Sequence, residues 1–134
     1  MNKCVVLYEN WQYECCGEDF KVGSKIEWLV MKGENINLPI KTDNIDYYYE
    51  AHSADYKNIF VLEGIIKEIK TLYLKYEPSR DNPKLLVPTN GFLSNVNTSK
   101  NVANKLDNMD FSSYLVYIEN YSIRDALESE VTFR

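Results

Sequence analysis

Histidine is almost missing from this chain: His52 is the one imidazole in 134 residues. Zinc hydrolases, facial-triad oxygenases and Ser-His-Asp enzymes each need a histidine in a supported position, so any such chemistry here must pass through that residue. Cysteine is scarce as well, with Cys4 and the adjacent pair Cys15-Cys16. An odd number without regular spacing is not the framework of a secreted disulfide scaffold, so reduced thiols and a cytoplasmic address are expected. No apolar run approaches the roughly 18 residues that cross a bilayer, and the apolar start MNKCVVLYEN is cut short by Glu9, so neither a membrane span nor a signal peptide is expected. Phosphate loops of the G-x-x-x-x-G-K-[ST] or G-x-G-x-x-G type are missing, which removes the simplest nucleotide-binding readings. Basic clusters are missing too. Net charge is −5, and residues 1–67 hold seven Lys/Arg against eleven Asp/Glu, so nucleic acid is not expected as a partner.

What is present is ample core material. Apolar residues make up 45% of the chain and there are eleven tyrosines, enough for a folded interior without metal or disulfide staples. No linker or repeat divides the sequence, so one domain over 1–134 is expected. Cys4–Tyr8 reads as a first strand, and Lys25–Val30 as a second with Ile26, Trp28 and Val30 on one face. Between them, Gly17 and the charged Glu18-Asp19 suggest that the cysteines lie at a turn. Asp43–Tyr56 reads as a short acidic helix capped by Asp43.

The stretch Ile59–Tyr76 has apolar residues at helical spacing, but Gly64 and its β-branched residues favour two strands with a bend near Lys70-Thr71. Leu85–Val87 and Phe92–Val96 read as short strands around Thr89-Asn90-Gly91, Asn97–Met109 as a polar connection and Tyr114–Ile118 as a strand. The tail SIRDALESE reads as a helical turn capped by Ser122. The expected fold is mainly β: a small partly closed barrel or strongly bent antiparallel sheet, SH3-like or OB-like, with one or two short helices.

The string WQYECCGEDFKVGSKIEW from Trp11 to Trp28 resembles the signature of a family of small bacterial proteins defined as a domain of unknown function. The resemblance continues through Asp46-Tyr47 and Glu50-Ala51-His52, through Gly64–Ile69, and into Tyr114-Leu115-Val116. It implies no reaction, cofactor or catalytic residue. Relatives tend to carry a second histidine where Ser53 follows His52 here, which weakens a role built on a histidine pair.

The residues support two functional classes. Adjacent cysteines lack the spacer of a redox C-x-x-C motif, and a metal reading would need Cys4, Cys15 or Cys16, and His52 to converge from separate segments, so no metal is assigned. A Cys15 or Cys16 nucleophile with His52 as base, its ring oriented by Asp46 or Glu50, is complete in residue types, with Trp11 close in sequence. The carboxylate pairs Glu18-Asp19 and Asp43-Asp46 are what turns and helix starts ordinarily carry. The leading expectation is instead a cytoplasmic protein-interaction module whose acidic, Tyr-rich face comprises Tyr47, Tyr48, Tyr49 and Glu50, comparable in size and charge to immunity and antitoxin proteins. The alternative is a thiol-dependent or metal-assisted enzyme using Cys15, Cys16 and His52. No cofactor, membrane contact or oligomeric state is assigned.

Overall fold

β1 (Lys3–Glu9) buries all five of its inner residues, because it runs through the middle of the sheet and is covered on both faces. A computed structural model describes residues 2–33, 38–52 and 56–131, with Cys16 in its backbone only. The chain continues through α1 (Asn10–Cys16), β2 (Lys25–Lys32), β3 (Tyr47–Tyr49), a single 3-10 turn (Tyr56–Asn58), β4 (Phe60–Pro78), β5 (Leu86–Val96), β6 (Lys105–Leu106), β7 (Met109–Asp125) and α2 (Glu128–Val131). The seven strands form one mixed sheet in the order β5-β4-β2-β3-β1-β7-β6, and further pairing of β4 with β7 closes five of them into a ring. Every strand pairing is antiparallel except β1 with β3, where Val6 lies beside Tyr47 and Leu7 beside Tyr48. Among the described residues no helix is long and apolar enough to cross a membrane.

The mainly β expectation holds, and several elements differ from the sequence reading. Residues 59–76 are not two short strands. From Phe60 on they belong to one 19-residue strand whose pairing with β7 shifts at Glu63/Ile65, Ile66/Glu68 and Leu72/Tyr73 and not at Lys70-Thr71. At Ile66/Glu68 the extra residue, Lys67, lies in β4 and changes which face the following side chains occupy, whereas at Leu72/Tyr73 the extra residue, Ser112, lies in β7. Leu62 and Ile66, four apart, share a face by ordinary strand alternation, and the extra residue after Ile66 brings Ile69, three further on, into the same core cluster, which is how a strand acquires helical spacing. β5 likewise runs unbroken through Thr89-Asn90-Gly91, held against β4 across a shift at Lys75/Tyr76.

The expected helix over 43–56 is instead an extended segment containing β3, with residues 53–55 outside the described part. The aspartates that suggested a helix start have other partners: Asp43 accepts from the Tyr117 hydroxyl at 2.7 Å, and Asp46 accepts from the Val5 backbone N–H at 2.8 Å. Tyrosine suits a pleated, half-buried strand, and β3 fills the gap between β1 and β2. The cysteine pair is not at a turn but in the last turn of α1.

At the C-terminal end, Ser122 lies within β7 and caps nothing, while α2 buries Val131 against Ile59, Val61 and Ala126. Arg124 donates to both carboxylate oxygens of Glu130, at 2.9 and 2.8 Å, and the Leu127 N–H adds a third bond at 2.7 Å. These donors, Arg124 first, pull the Glu130 carboxyl from the usual value near 4.5 down to about 2. A carboxyl with a depressed folded-state value stabilises fully above about pH 4.5 and loses that contribution as pH falls towards 2. Val131 methyl signals should therefore shift to a mobile environment over that acid window in wild type, whereas in Glu130→Gln they should be mobile already at neutral pH.

Candidate functional site

The parallel pairing of β1 with β3 sets their carboxyl ends on the same edge of the ring. β1 leads into α1 and β3 leads into Glu50-Ala51-His52, so these two segments meet although nearly forty residues separate them. α1 has no side-chain cap at Glu9, and within it Asn10 donates to Glu14 at 3.1 Å. The helix stops at Gly17, whose N–H returns to the Tyr13 carbonyl at 3.1 Å. A Cβ at position 17 would run into the Tyr8 hydroxyl and the Tyr13 backbone, so glycine is needed there for space. Tyr13 packs inward against the main core cluster and Gln12 is buried, while Trp11 and Cys15, four residues apart, share the outer face.

Cys15 and His52 are in contact. The Cys15 Sγ lies 2.9 Å from His52 Nε2, with the Gln12 carbonyl at 3.8 Å as a weaker acceptor. The other ring nitrogen, Nδ1, lies 3.2 Å from Gln12 Oε1 and 3.9 Å from Glu50 Oε1. The backbone N–H of His52 donates to the same Glu50 oxygen at 2.6 Å, which anchors the residue at its main chain as well as at its ring. The Trp11 ring leans over the imidazole with centroids 4.9 Å apart and planes at 39°, and about half of it (52%) stays exposed. The arrangement has the parts of an activated nucleophile: a thiol, a base within hydrogen-bond reach, and polar groups that orient the base.

Of the expected candidates, Trp11, Cys15, His52 and Glu50 come together here, and the Cys16 side chain lies outside the described part. Asp46 does not orient the ring, since its carboxylate is bonded to Val5 in the sheet. Cys4 is no third thiol for this site: it is 2% exposed in the core, where burial, with the nearby Asp46 charge, pushes its pKa up to about 12. Among the described residues no group of three or more His, Cys, Asp or Glu side chains is placed to share a metal ion. The Asp19 carboxylate of the Glu18-Asp19 pair is bonded to the Tyr13 hydroxyl.

The three consecutive tyrosines are half-buried in β3. Tyr47 and Tyr49 pack on the main core cluster, and Tyr48 faces the second cluster around Val5, Leu7 and Leu115. Glu50 is half-buried beside them with its carboxylate turned towards Gln12 and His52. The residue that the sequence reading does not single out is Gln12. It stands in the string as the Q of W-Q-x-x-C-C, but nothing in its spacing distinguishes a buried amide from a solvated one.

Comparison with curated proteins and with solved structures returns no match to this chain. The sequence model of a family of unknown function (DUF6578) matches residues 2–120, which take in the Trp11–Trp28 string, the Cys15–His52 contact, four of the ring strands and β7 as far as Asn120, and the chain therefore belongs to that family.

Proposed function

We propose that this protein is a thiol-dependent enzyme in which Cys15 is the nucleophile and His52 its base. The observation that carries the reading is the 2.9 Å approach of Cys15 Sγ to His52 Nε2. In the proposed step the S–H proton passes to Nε2 and the thiolate attacks an electrophilic carbon or sulfur. The bond to the leaving group breaks, and the imidazolium returns its proton to that group. A thiol with this task needs a reducing compartment, in keeping with a cytoplasmic setting.

The test is the alkylation rate of Cys15 by iodoacetamide at about pH 7, followed by peptide mass mapping so that Cys4 and Cys16 are scored separately. An unassisted thiol is only a few per cent ionised at that pH. His52→Ala should therefore slow Cys15 by about tenfold or more, with the fold unchanged by circular dichroism. Equal rates in wild type and His52→Ala would remove His52 from the chemistry.

A second reading is favoured by Trp11, an aromatic ring half in solvent on an acidic chain. Here the same surface is a protein-interaction face, immunity- or antitoxin-like in a bacterial cell, with Trp11 as anchor for a basic partner. Under that reading Trp11→Ala abolishes partner capture while Cys15→Ser leaves it intact, and the thiol reading expects Cys15→Ser to abolish the activity.

A further inference from the structure

Gln12 is 1% exposed, and a buried glutamine is stable only when its amide is hydrogen-bonded at both ends. The two ends of an amide have nearly the same shape, so its orientation is set by its neighbours. The Ala51 N–H is a donor and lies 2.9 Å from Oε1, whereas the Tyr49 carbonyl is an acceptor and lies 2.9 Å from Nε2. Turning the amide over would set N–H against N–H and C=O against C=O, so the orientation is fixed by backbone groups that cannot change roles.

Oε1 can only accept. Its second neighbour is His52 Nδ1 at 3.2 Å, and a hydrogen bond there requires the proton to be on Nδ1. Neutral imidazole then carries its free lone pair on Nε2, the nitrogen that faces Cys15. Behind Gln12, Glu50 Oε2 accepts from Nε2 of the amide at 3.4 Å, and Glu50 Oε1 lies 3.9 Å from His52 Nδ1. An imidazolium formed at His52 thus has a carboxylate within reach.

We propose that Gln12 is the positioning residue of this site, holding His52 in the tautomer that presents a lone pair to Cys15. The inference rests on the reading of Cys15 and His52 as nucleophile and base, and it assigns to a buried amide the role that a third member plays in nucleophile–base–orienter sets. The Gln12 side chain touches no reacting atom and acts through the ring of His52; its backbone carbonyl, 3.8 Å from the Cys15 sulfur, stays in place whatever side chain stands there.

His52 is the one histidine in the chain, so its ring nitrogens give an unambiguous long-range 1H–15N spectrum. The tautomer is read in the Cys15→Ser protein, where no thiolate competes for the proton, at a pH high enough for a neutral ring. The expected result is the Nδ1–H form. Adding Gln12→Met should give a mixture of tautomers, and adding Gln12→Glu, whose carboxyl keeps its proton on the oxygen facing the Tyr49 carbonyl and Glu50 while the other oxygen still accepts from Nδ1, should keep the Nδ1–H form.

In the chain that retains Cys15, Gln12→Met should slow iodoacetamide alkylation of Cys15 by about tenfold. In a His52→Ala background it should change the rate little, because it has no ring left to position. An unchanged tautomer in Gln12→Met, an Nε2–H ring in Gln12→Glu, or equal slowing with and without His52 would overturn the proposal. Should Gln12→Met fail to fold, the Gln12→Glu spectrum decides alone. If His52→Ala leaves Cys15 reactivity unchanged, the thiol reading falls while the tautomer spectra still judge Gln12.

Discussion

Replacing Tyr8 with alanine should lower the unfolding free energy by about 4 kcal/mol, within the range for deleting a large buried aromatic side chain. Tyr8 is 1% exposed, and its ring is the hub of the aromatic cluster at one end of the sheet. It stacks on Tyr49 with centroids 3.8 Å apart and planes at 8°, meets the edge of Trp28 at 5.2 Å and lies 5.3 Å from Phe20. A ring of this kind buries about 150–250 Å², which at about 25 cal/mol per Å² is an upper bound of about 4–6 kcal/mol. The neighbours cannot collapse into the gap, because Tyr49 and Trp28 sit on strands paired on both sides.

The loss is a large part of the total stability of about 5–15 kcal/mol usual for a domain. Urea unfolding checks it: the midpoint should fall while the slope is retained. A loss under about 1 kcal/mol would mean that the cluster repacks around the gap. The site should loosen as well, since the Tyr49 carbonyl that anchors Gln12 belongs to the residue stacked on Tyr8.

Gly64→Val should cost about 3 kcal/mol through overpacking. Gly64 does not adopt a left-handed backbone conformation, so the requirement is one of space. It pairs with Ile26 of β2 on one side, and on the other it is the residue left over where β4 shifts register against β7. A Cβ there would run into Ile118 Cγ2 and come within 3.1 Å of the Glu119 carbonyl and Tyr121 Cβ. Ile118 is fully buried and Glu119 is held in the β7 backbone, so neither gives way cheaply. Gly64→Ala should fall between wild type and Gly64→Val in urea unfolding. If valine costs less than about 1 kcal/mol, β7 yields at this point and the ring is not closed tightly there.

Legibility in the sequence varies with how far each element depends on distant partners. β1 and β2 are readable because their β-branched runs and the alternation of Ile26, Trp28 and Val30 are local consequences of burial. β4 is blurred because an extra residue after Ile66 adds a three-residue step to a period-two strand, so that Leu62, Ile66 and Ile69 fall at helical spacing. β3 is disguised because Asp43 and Asp46, which look like helix-start residues, bond to β7 and β1, and no local signal reports that. α1 is hidden because seven residues without a capping side chain do not form a helix by themselves. Tyr13 against the core and Gln12 against the β3 end hold it in place.

The sequence by itself determined the family, the mainly β class, and the small set of residue types from which any chemistry must be drawn, with one histidine and three cysteines among them. Only the tertiary structure set the Cys15 thiol against one nitrogen of the imidazole and the buried Gln12 amide against the other. The physical reason is the parallel pairing of β1 with β3. It brings the ends of two strands far apart in sequence to one edge, so that Cys15, Gln12 and His52 become neighbours through backbone hydrogen bonds that no spacing along the chain encodes.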